Sequence, residues 1–230
     1  LEPTNHISKT DHYYNYHLDT INNSESEGLP GGGSLQNGKI IPYSGDNFQY
    51  FSETSYLSGR AFVHHNVKAL VLESYRDLFI KFPDEKYGIM ECSKKDGGKI
   101  SGHRTHQNGL SIDFMSPLKQ NNTSYYDLDD IGTNHYQLAF NNDGELISDK
   151  TIVIDFEKLG QHILSLHKNA KKHHLKIKKV ILKMELKDDL YKTASGKKIK
   201  EEKIYITMNL PQKINDSHDD HYHIDFELIK

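Results

Sequence analysis

The sequence predicts a single α+β domain with a central antiparallel sheet and flanking helices. Three observations predict this class: two segments repeat apolar residues at the helical period, several short segments resemble strands, and no internal repeat is present. The chain has 230 residues, which is enough for one hydrophobic core of ordinary size. We therefore expect one folded unit from residue 28 to residue 230.

The first 27 residues are polar and lack a sustained apolar period, so they are predicted to form a mobile or surface-draped arm (residues 1–27). Folded structure is expected to begin near Gly28. Further along, the pair Asn37-Gly38 is typical of a two-residue turn. This pair predicts a β-hairpin at the entrance to the domain.

Two amphipathic helices are predicted. The first spans Ala61 to Phe82, where apolar residues recur about every 3.6 positions and Pro83 follows as a stop signal. The second runs to Ala170, with Asp155 as its N-cap and basic residues at its end. Both helices are expected to pack an apolar face against the sheet.

Short segments with strand-like patterns account for the sheet. The predicted strands are Tyr87 to Glu91, Leu110 to Met115, Lys179 to Leu186, Lys203 to Leu210 and His221 to Leu228. The last of these alternates most clearly, with His221, His223 and Asp225 on the face opposite Tyr222. Residues 118–150 are rich in Asn, Asp and Tyr, and are expected to form a long polar insertion that acts as a lid or specificity loop.

The composition argues against several classes of partner. Lys and Arg number 29 against 32 Asp and Glu, so the net charge of -3 gives no overall attraction to nucleic acid or an anionic membrane. No apolar run approaches the roughly 18 residues of a membrane span. The lysine-rich stretch from Lys168 to Lys203 is interpreted as a solvated face. The single cysteine, Cys92, excludes an internal disulfide and is predicted to be a small buried hydrophobe.

Histidine is unusually frequent, with 15 residues, and this makes metal binding the first function to consider. The most concentrated histidines lie in SGHRTHQNGLSID at residues 101–113 and in HDDHYH at residues 218–223. A single His-x-His pair is expected by chance at this frequency. On the predicted last strand, however, His221 and His223 are two residues apart and project to the same face.

A ligand set can be assembled from these two segments. Asp113 lies on the polar face of its strand, and the pair Asn108-Gly109 permits a tight turn that brings His106 back beside it. His106, Asp113 and His223 then offer two imidazole nitrogens and one carboxylate oxygen. This set suits Zn²⁺ and leaves a fourth position for water, which is typical of a catalytic zinc site. The remaining histidines, including His162 and His167, are expected to be surface or core residues.

The spacing His-x6-Asp followed by a late His-x-His resembles that of the LAS family of zinc peptidases, which are cell-wall and D-Ala-D-Ala peptidases. The runs SGHRTHQNGLSIDF and HDDHYH are most similar to the penicillin-insensitive murein endopeptidases of the MepA type. The resemblance extends to GGGSLQNGKIIP and RAFVHHNVKALVLES, and so covers most of residues 29–228. It implies a Hedgehog/D-Ala-D-Ala peptidase-like fold.

The resemblance also implies an activity: hydrolysis of the D-alanyl to meso-diaminopimelate bond in peptidoglycan cross-links, in the periplasm or outside the cell. It assigns zinc binding to His106, Asp113 and His223, the role of catalytic base to His221, and further active-site roles to His103 and His218. The chain has no HExxH motif, so a histidine beside the metal must replace the glutamate base of that class. Protonated His103 or His218 is expected to help stabilise the oxyanion.

Other functions stay open. On the same fold, the alternatives are a D,D-carboxypeptidase, a D-Ala-D-Ala dipeptidase or an L,D-type endopeptidase. From a different class, the alternative is a non-catalytic zinc-binding module that recognises the cell wall or a protein.

The chain departs from the family at two positions that are expected to face the cleft. Ser111 stands where the family more often has Asp, and Asp225 stands where a basic residue often follows the His-x-His. Asp225 is expected to reverse a charge that would otherwise meet a carboxylate of the substrate. Asp220, Ser101 and Gln107 are the candidates for orienting the ligands.

Overall fold

The computed structural model describes residues 7–229 as a mixed α+β structure, which confirms the predicted class. None of the helices in this range has the length and hydropathy of a membrane span. The α-helices are α1 (Lys9–His17), α2 (Glu53–Leu57), α3 (His65–Lys81), α4 (Phe156–Ala170), α5 (Lys187–Lys192), α6 (Ala194–Glu201) and α7 (Gln212–Asp216). The strands are β1 (Glu25–Leu29), β2 (Gly32–Gln36), β3 (Lys39–Ile40), β4 (Phe48–Tyr50), β5 (Phe62–Val63), β6 (Tyr87–Ile89), β7 (Ser111–Met115), β8 (Leu118–Gln120), β9 (Thr123–Tyr125), β10 (Glu145–Leu146), β11 (Asp149–Ile154), β12 (Leu175–Ile181) and β13 (His221–Leu228).

The strands of the described range form several sheets. The largest has five strands in the order β12-β13-β7-β6-β4, and it is antiparallel except for the parallel pair β4 and β6. A four-stranded sheet has the order β10-β11-β8-β9, and two-stranded sheets are formed by β1 with β2 and by β3 with β5. The five-stranded sheet brings together β7 and β13, which carry the predicted metal ligands.

Helices cover one face of the five-stranded sheet. α3 and α4 pack against each other, and α4 also contacts β12. His162 of α4 is fully buried, stacks on Tyr75 of α3 and shares a hydrogen bond with the hydroxyl of Tyr222 on β13. Phe114 of β7 meets the same imidazole edge-on. The residues that alternate with Phe114 and Tyr222 therefore face the opposite side of the sheet.

Several predicted elements are confirmed. α3 and α4 lie within the predicted helical segments, and the Asp155 side chain accepts a hydrogen bond from the Lys158 N–H as the predicted N-cap of α4. β6 and β7 lie within predicted strands, and β13 has the predicted bounds. Cys92 is buried, as expected.

The expectation that folded structure begins near Gly28 is wrong. α1 forms within the predicted arm, and Tyr13 on this helix packs edge-on against Tyr56 of α2. Ser24 then donates its N–H to the Nδ1 of His65 at the start of α3. The arm has no apolar period because these contacts are made by aromatic and polar side chains. Residues 1–6 of the predicted arm lie outside the described residues.

The predicted hairpin is displaced. β1 pairs with β2, so the hairpin turn lies at Pro30-Gly31 rather than at Asn37-Gly38. Asn37 does adopt a left-handed conformation, with φ of 52°, but the turn it forms joins β2 to β3, which belong to different sheets. The dipeptide thus specified a turn without specifying which strands would pair.

The predictions for residues 175–210 are partly wrong. β12 is Leu175–Ile181, so it begins and ends earlier than the predicted strand from Lys179 to Leu186. The predicted strand from Lys203 to Leu210 is absent from the described chain, apart from a single parallel bridge between Ile206 and Val180. Ile204 and Ile206 are buried, which explains the misleading alternation. α5 and α6 precede this segment and were not predicted.

The polar segment 118–150 is more regular than a loop. β8, β9, β10 and the start of β11 build most of the four-stranded sheet from it. A 3-10 helix at Gly132–Gln137 carries His135 and Tyr136, both of which contact residues around the candidate site. A role as lid or specificity element stays a prediction.

Candidate metal centre

The candidate centre lies where β7 and β13 pair. His223 is directly opposite Asp113 in the antiparallel register, and its Nδ1 is 2.7 Å from Asp113 Oδ1. Both residues are buried. The expected meeting of these two residues, which are far apart in the sequence, is produced by the pairing of two strands, which was not predicted.

His106 approaches the same carboxylate from the loop before β7. Its Nε2 lies 3.1 Å from Asp113 Oδ2, and only 1% of its side chain is exposed. The loop turns sharply: His106 has a φ of 64° and Gly109 a φ of 75°, while Asn108 Oδ1 accepts a hydrogen bond from the Leu110 N–H. The predicted tight turn therefore returns His106 to Asp113.

His103 is the third imidazole beside Asp113. Its Nδ1 lies 3.7 Å from Asp113 Oδ2, and its side chain is 20% exposed. Among the described residues, His103, His106 and Asp113 each offer one candidate ligand atom, and these atoms all lie within 4.8 Å of one another. This group of three can hold a metal ion. It includes His103, for which the family resemblance implied an active-site role, whereas His223 contacts the other oxygen of Asp113.

The surroundings keep Asp113 ionised. Burial alone would raise the pKa of this carboxyl, but the neighbouring imidazoles of His106 and His223 hold it well below its ordinary value. A buried carboxylate among imidazole nitrogens is a donor set that a divalent ion would favour. In addition, the Nδ1 of His106 is buried without a hydrogen-bond partner in the described chain, which is costly unless some other group satisfies it. The residues present therefore fit a metal ion.

Asp225 contacts His223 and one residue on each neighbouring strand. Its Oδ1 lies 2.7 Å from His223 Nε2 and accepts a 2.6 Å hydrogen bond from Ser111 Oγ, while its Oδ2 lies 3.0 Å from Lys179 Nζ. Ser111 and Lys179 are the cross-strand neighbours of Asp225 on β7 and β12. Lys179 balances the charge of Asp225 within the protein, and the expected effect of that charge on a substrate carboxylate stays a prediction.

His221 is coupled to the aspartate that precedes it. The Nδ1 of His221 lies 2.5 Å from Asp220 Oδ1, and His135 Nε2 lies 3.5 Å from the other carboxylate oxygen. Burial disfavours the protonated imidazole, but the charge and hydrogen bond of Asp220 raise the pKa of His221 to about 9. Of the candidates for orienting the site, Asp220 thus contacts a predicted catalytic histidine. Gln107 instead donates to the Arg104 carbonyl, 3.3 Å away.

The pKa values of His103 and His218 are shifted in the opposite direction to that of His221. Burial lowers the pKa of His103 to about 4 and that of His218 to about 3. His218 Nδ1 lies 2.6 Å from the carbonyl oxygen of Ile214, and its ring centre lies 4.8 Å from that of His221. Burial thus favours the neutral form of both imidazoles, and the expected role of either as a second cation beside an oxyanion stays a prediction.

Sequence reasoning missed a polar cluster next to the centre. Glu91 is buried, and its Oε1 accepts hydrogen bonds from Ser55 Oγ, Arg60 Nη1 and Tyr136 Oη at 2.8, 3.3 and 3.1 Å. Its backbone carbonyl accepts from the Asp113 N–H, which places Glu91 beside the centre. Burial raises the pKa of Glu91. The available signal was a carboxylate at the end of the apolar run YGIM.

A cavity of about 1070 Å³ opens over the centre. His103, His106, Asp113, His218 and His223 all line it. Its walls come from the tip of the β1–β2 hairpin, the loop that carries His106, the edge of β12 and the segment around α7. Ser101 also lines this cavity. The space is large enough for a peptide-sized ligand to reach the candidate metal ligands.

Comparison with known proteins assigns no family. No protein-family model matches this chain, and no curated protein matches it. The fold and the site therefore define the protein at the level of a class: an α+β protein with a histidine and aspartate centre, able to hold a metal ion, at the floor of an open cavity.

Proposed function

We propose that this chain is a zinc-dependent peptidase of the LAS type, with a Hedgehog/D-Ala-D-Ala peptidase-like fold, which hydrolyses peptide cross-links of peptidoglycan. The observation that carries this proposal is the convergence of His103, His106 and His223 on Asp113 beneath an open cavity. A Cys-free set of imidazole and carboxylate donors with access from solvent is typical of catalytic zinc sites.

In this proposal, zinc is held by His106, Asp113 and His223. His223 is preferred over His103 because Asp225 fixes its Nε2 while its Nδ1 points at Asp113. Metal-binding histidines commonly have such a carboxylate on the second ring nitrogen. His103 is more exposed, and no second carboxylate within residues 7–229 supports its ring in the same way. When bound, zinc supplies a Lewis acid that activates water and polarises the scissile carbonyl.

His221 is the proposed general base. Asp220 orients its ring through Nδ1 and raises its basicity, so the unprotonated form of His221 can take a proton from water and pass it to the leaving amine. Burial favours the neutral forms of His103 and His218, so their proposed part is to donate or accept hydrogen bonds beside the reacting groups. No serine or cysteine nucleophile takes part, so a β-lactam would have nothing to acylate.

The bond that we propose is the D-alanyl to meso-diaminopimelate amide, and the compartment is the periplasm or the cell surface. Both follow from the resemblance of SGHRTHQNGLSIDF and HDDHYH to the MepA-type enzymes. The same machinery can serve a carboxypeptidase, a dipeptidase or an L,D-type endopeptidase, and only the fragments produced distinguish them.

The test is mass spectrometry of cross-linked muropeptide dimers after incubation with the zinc-loaded protein. EDTA-treated protein and the His106→Ala variant are the controls. We expect dimers to become intact monomers, with the conversion lost in both controls. Release of single alanines, or cleavage elsewhere in the stem peptide, would reassign the protein to a sister activity. Absence of any cleavage while zinc stays bound would favour a non-catalytic recognition module.

A further inference from the structure

The cavity over the metal centre carries more cations than carboxylates. Two carboxylates line it, those of Asp113 and Asp225. The cationic side chains that line it are Arg60, Arg104, Lys178, Lys179 and Lys213. The chain as a whole has a net charge of -3, so this local excess of positive charge is a property of the cavity and not of the composition.

Part of this positive charge is balanced within the protein. Lys179 lies 3.0 Å from Asp225 Oδ2, and Arg60 lies 3.3 Å from Glu91 Oε1. The three other cations, Arg104, Lys178 and Lys213, form no ion pair with any carboxylate in residues 7–229. Asp113 is not available to these three cations, because both of its carboxylate oxygens contact the imidazoles of the centre.

These three cations come from separate walls. Arg104 follows His103 in the loop that also carries His106, Lys178 lies on β12, and Lys213 lies on α7. Cations on facing walls of one cleft add their fields, and a cleft lined by one sign of charge concentrates ligands of the other sign.

The walls that carry these cations are fixed in place. The loop of Arg104 is tied to the hairpin tip by a 3.0 Å hydrogen bond from the Gln107 N–H to the Pro30 carbonyl. α7 is anchored at Asn215, whose Oδ1 accepts a 2.8 Å hydrogen bond from the Met184 N–H. The cations therefore belong to ordered elements around the centre.

We propose that the cavity recognises an anionic peptide, whose free carboxylates are bound by Arg104, Lys178 and Lys213. Placing that peptide over the metal centre rests on the proposed peptidase function. The substrate class is thereby narrowed to stem peptides with free carboxylates, in preference to the same peptides with those carboxylates amidated. Asp225 does not oppose this binding, because Lys179 neutralises it.

The experiment compares two synthetic cross-linked stem-peptide dimers of the same sequence, one with free side-chain and terminal carboxylates and one with these groups amidated. Dissociation constants are measured by calorimetry on the zinc-loaded His221→Ala protein, at low and high ionic strength. Hydrolysis of both peptides is measured separately on the zinc-loaded parent protein. The variants are Arg104→Gln, Lys178→Gln, Lys213→Gln and their combination. Arg76→Gln and Lys197→Gln remove exposed cations that do not line the cavity and serve as matched controls.

We expect the free-carboxylate peptide to bind more tightly, and the preference to shrink as salt screens the charges. Each single variant should weaken its binding roughly two- to fivefold, and the combined variant about tenfold or more. Binding of the amidated peptide should change little. The controls should behave like the parent protein.

Equal affinity for the two peptides, or an unchanged preference in the combined variant, would overturn the inference. The two proposals can fail separately. Selective binding without hydrolysis by the parent protein would reject the peptidase and retain anionic recognition. Hydrolysis of both peptides at equal rates, without selective binding, would support the peptidase and reject anionic recognition.

Discussion

Asp225 Oδ1 lies 2.7 Å from His223 Nε2, on the opposite side of the ring from the Asp113 contact at Nδ1. Burial disfavours the charged ring, but these two carboxylates raise the pKa of His223 to about 9. Lys179 and Ser111 hold Asp225 from the neighbouring strands. Asp225 is therefore a positioning residue for His223. Ser111 and Lys179 help to hold its carboxylate in place.

Asp225→Asn should lower zinc affinity roughly 10- to 100-fold, because the substitution removes the charged partner that orients the His223 ring. The affinity can be measured by competition with a chelator of known affinity. Asp46→Asn, at an exposed position, is the matched control and should leave the affinity unchanged. An affinity for the Asp225→Asn protein equal to that of the parent would show that His223 needs no such support, or is not a ligand.

Single substitutions should show whether His223 or His103 is the third zinc ligand. His223→Ala should abolish stoichiometric zinc binding, whereas His103→Ala should retain about one zinc per chain with weaker affinity. The measurement is metal content by mass spectrometry after dialysis against a fixed free zinc concentration. The reverse pattern would assign the third position to His103, as its place in the group with His106 and Asp113 also permits.

The backbone conformation at His106 should make the His106→Gly and His106→Ala variants differ in stability. Its φ of 64° lies in the left-handed region, which glycine adopts more easily than alanine. His106→Gly should therefore be about 1 kcal/mol more stable than His106→Ala in the absence of zinc. Urea unfolding of both EDTA-treated variants measures this difference. Both should fail to bind zinc, so equal stabilities would indicate that the loop relaxes to another conformation.

Substitution of His221 should affect turnover without affecting metal binding. His221→Ala should lose activity yet keep its zinc, since the proposed ligands are untouched. Asp220→Asn should shift the limb of the kcat/KM profile that reports this base to lower pH, because Asp220 raises the pKa of His221. Retention of both zinc and activity by His221→Ala would remove His221 as the base.

The buried His162 predicts acid sensitivity that is independent of the metal centre. Burial lowers its pKa to about 3, below the value of about 6.5 expected in the unfolded chain. The unfolded state therefore binds more protons between these values, and this residue's contribution to stability is lost as the pH falls from about 6.5 to about 3.

His162→Asn should reduce the slope of unfolding free energy against pH between about pH 3 and 6.5 by up to about 1.4 kcal/mol per pH unit, since asparagine does not titrate. Unfolding free energies at several pH values, with zinc removed, provide the measurement. His167→Asn, on the more exposed part of the same helix, should leave the slope unchanged. An unchanged slope in the His162→Asn protein would contradict the assignment.

The parts of the site that the sequence predicted depend on local spacing. The alternation in β13 correctly placed His221, His223 and Asp225 on one face, and the Asn108-Gly109 turn correctly returned His106 to Asp113. These features depend on the two-residue period of a strand and on a short loop. The alternation also put Asp225 on the correct face, but not against its correct partners.

The parts that sequence reasoning missed depend on contacts between distant segments. Lys179 neutralises Asp225 only because β12 lies beside β13, and β12 itself was misplaced in the prediction. Tyr136 reaches Glu91 from the 3-10 helix at Gly132–Gln137, within a segment that was predicted to be a loop. A cation or phenol elsewhere in the chain carries no local pattern that reveals such a partner.

The pairing of β7 with β13 also sets the order in which this centre can be made during synthesis. Asp113 and His223 are separated by 110 positions, so the ribosome must add more than a hundred residues after the aspartate before its partner exists. During that time β7 lacks its neighbour on one side, and Asp113 lacks His223. A nascent chain that stalls before residue 223 can bury the helices α3 and α4, yet it has only the loop histidines to offer an ion. If His223 is a ligand, as proposed, the complete ligand set forms only after nearly the whole chain has been made.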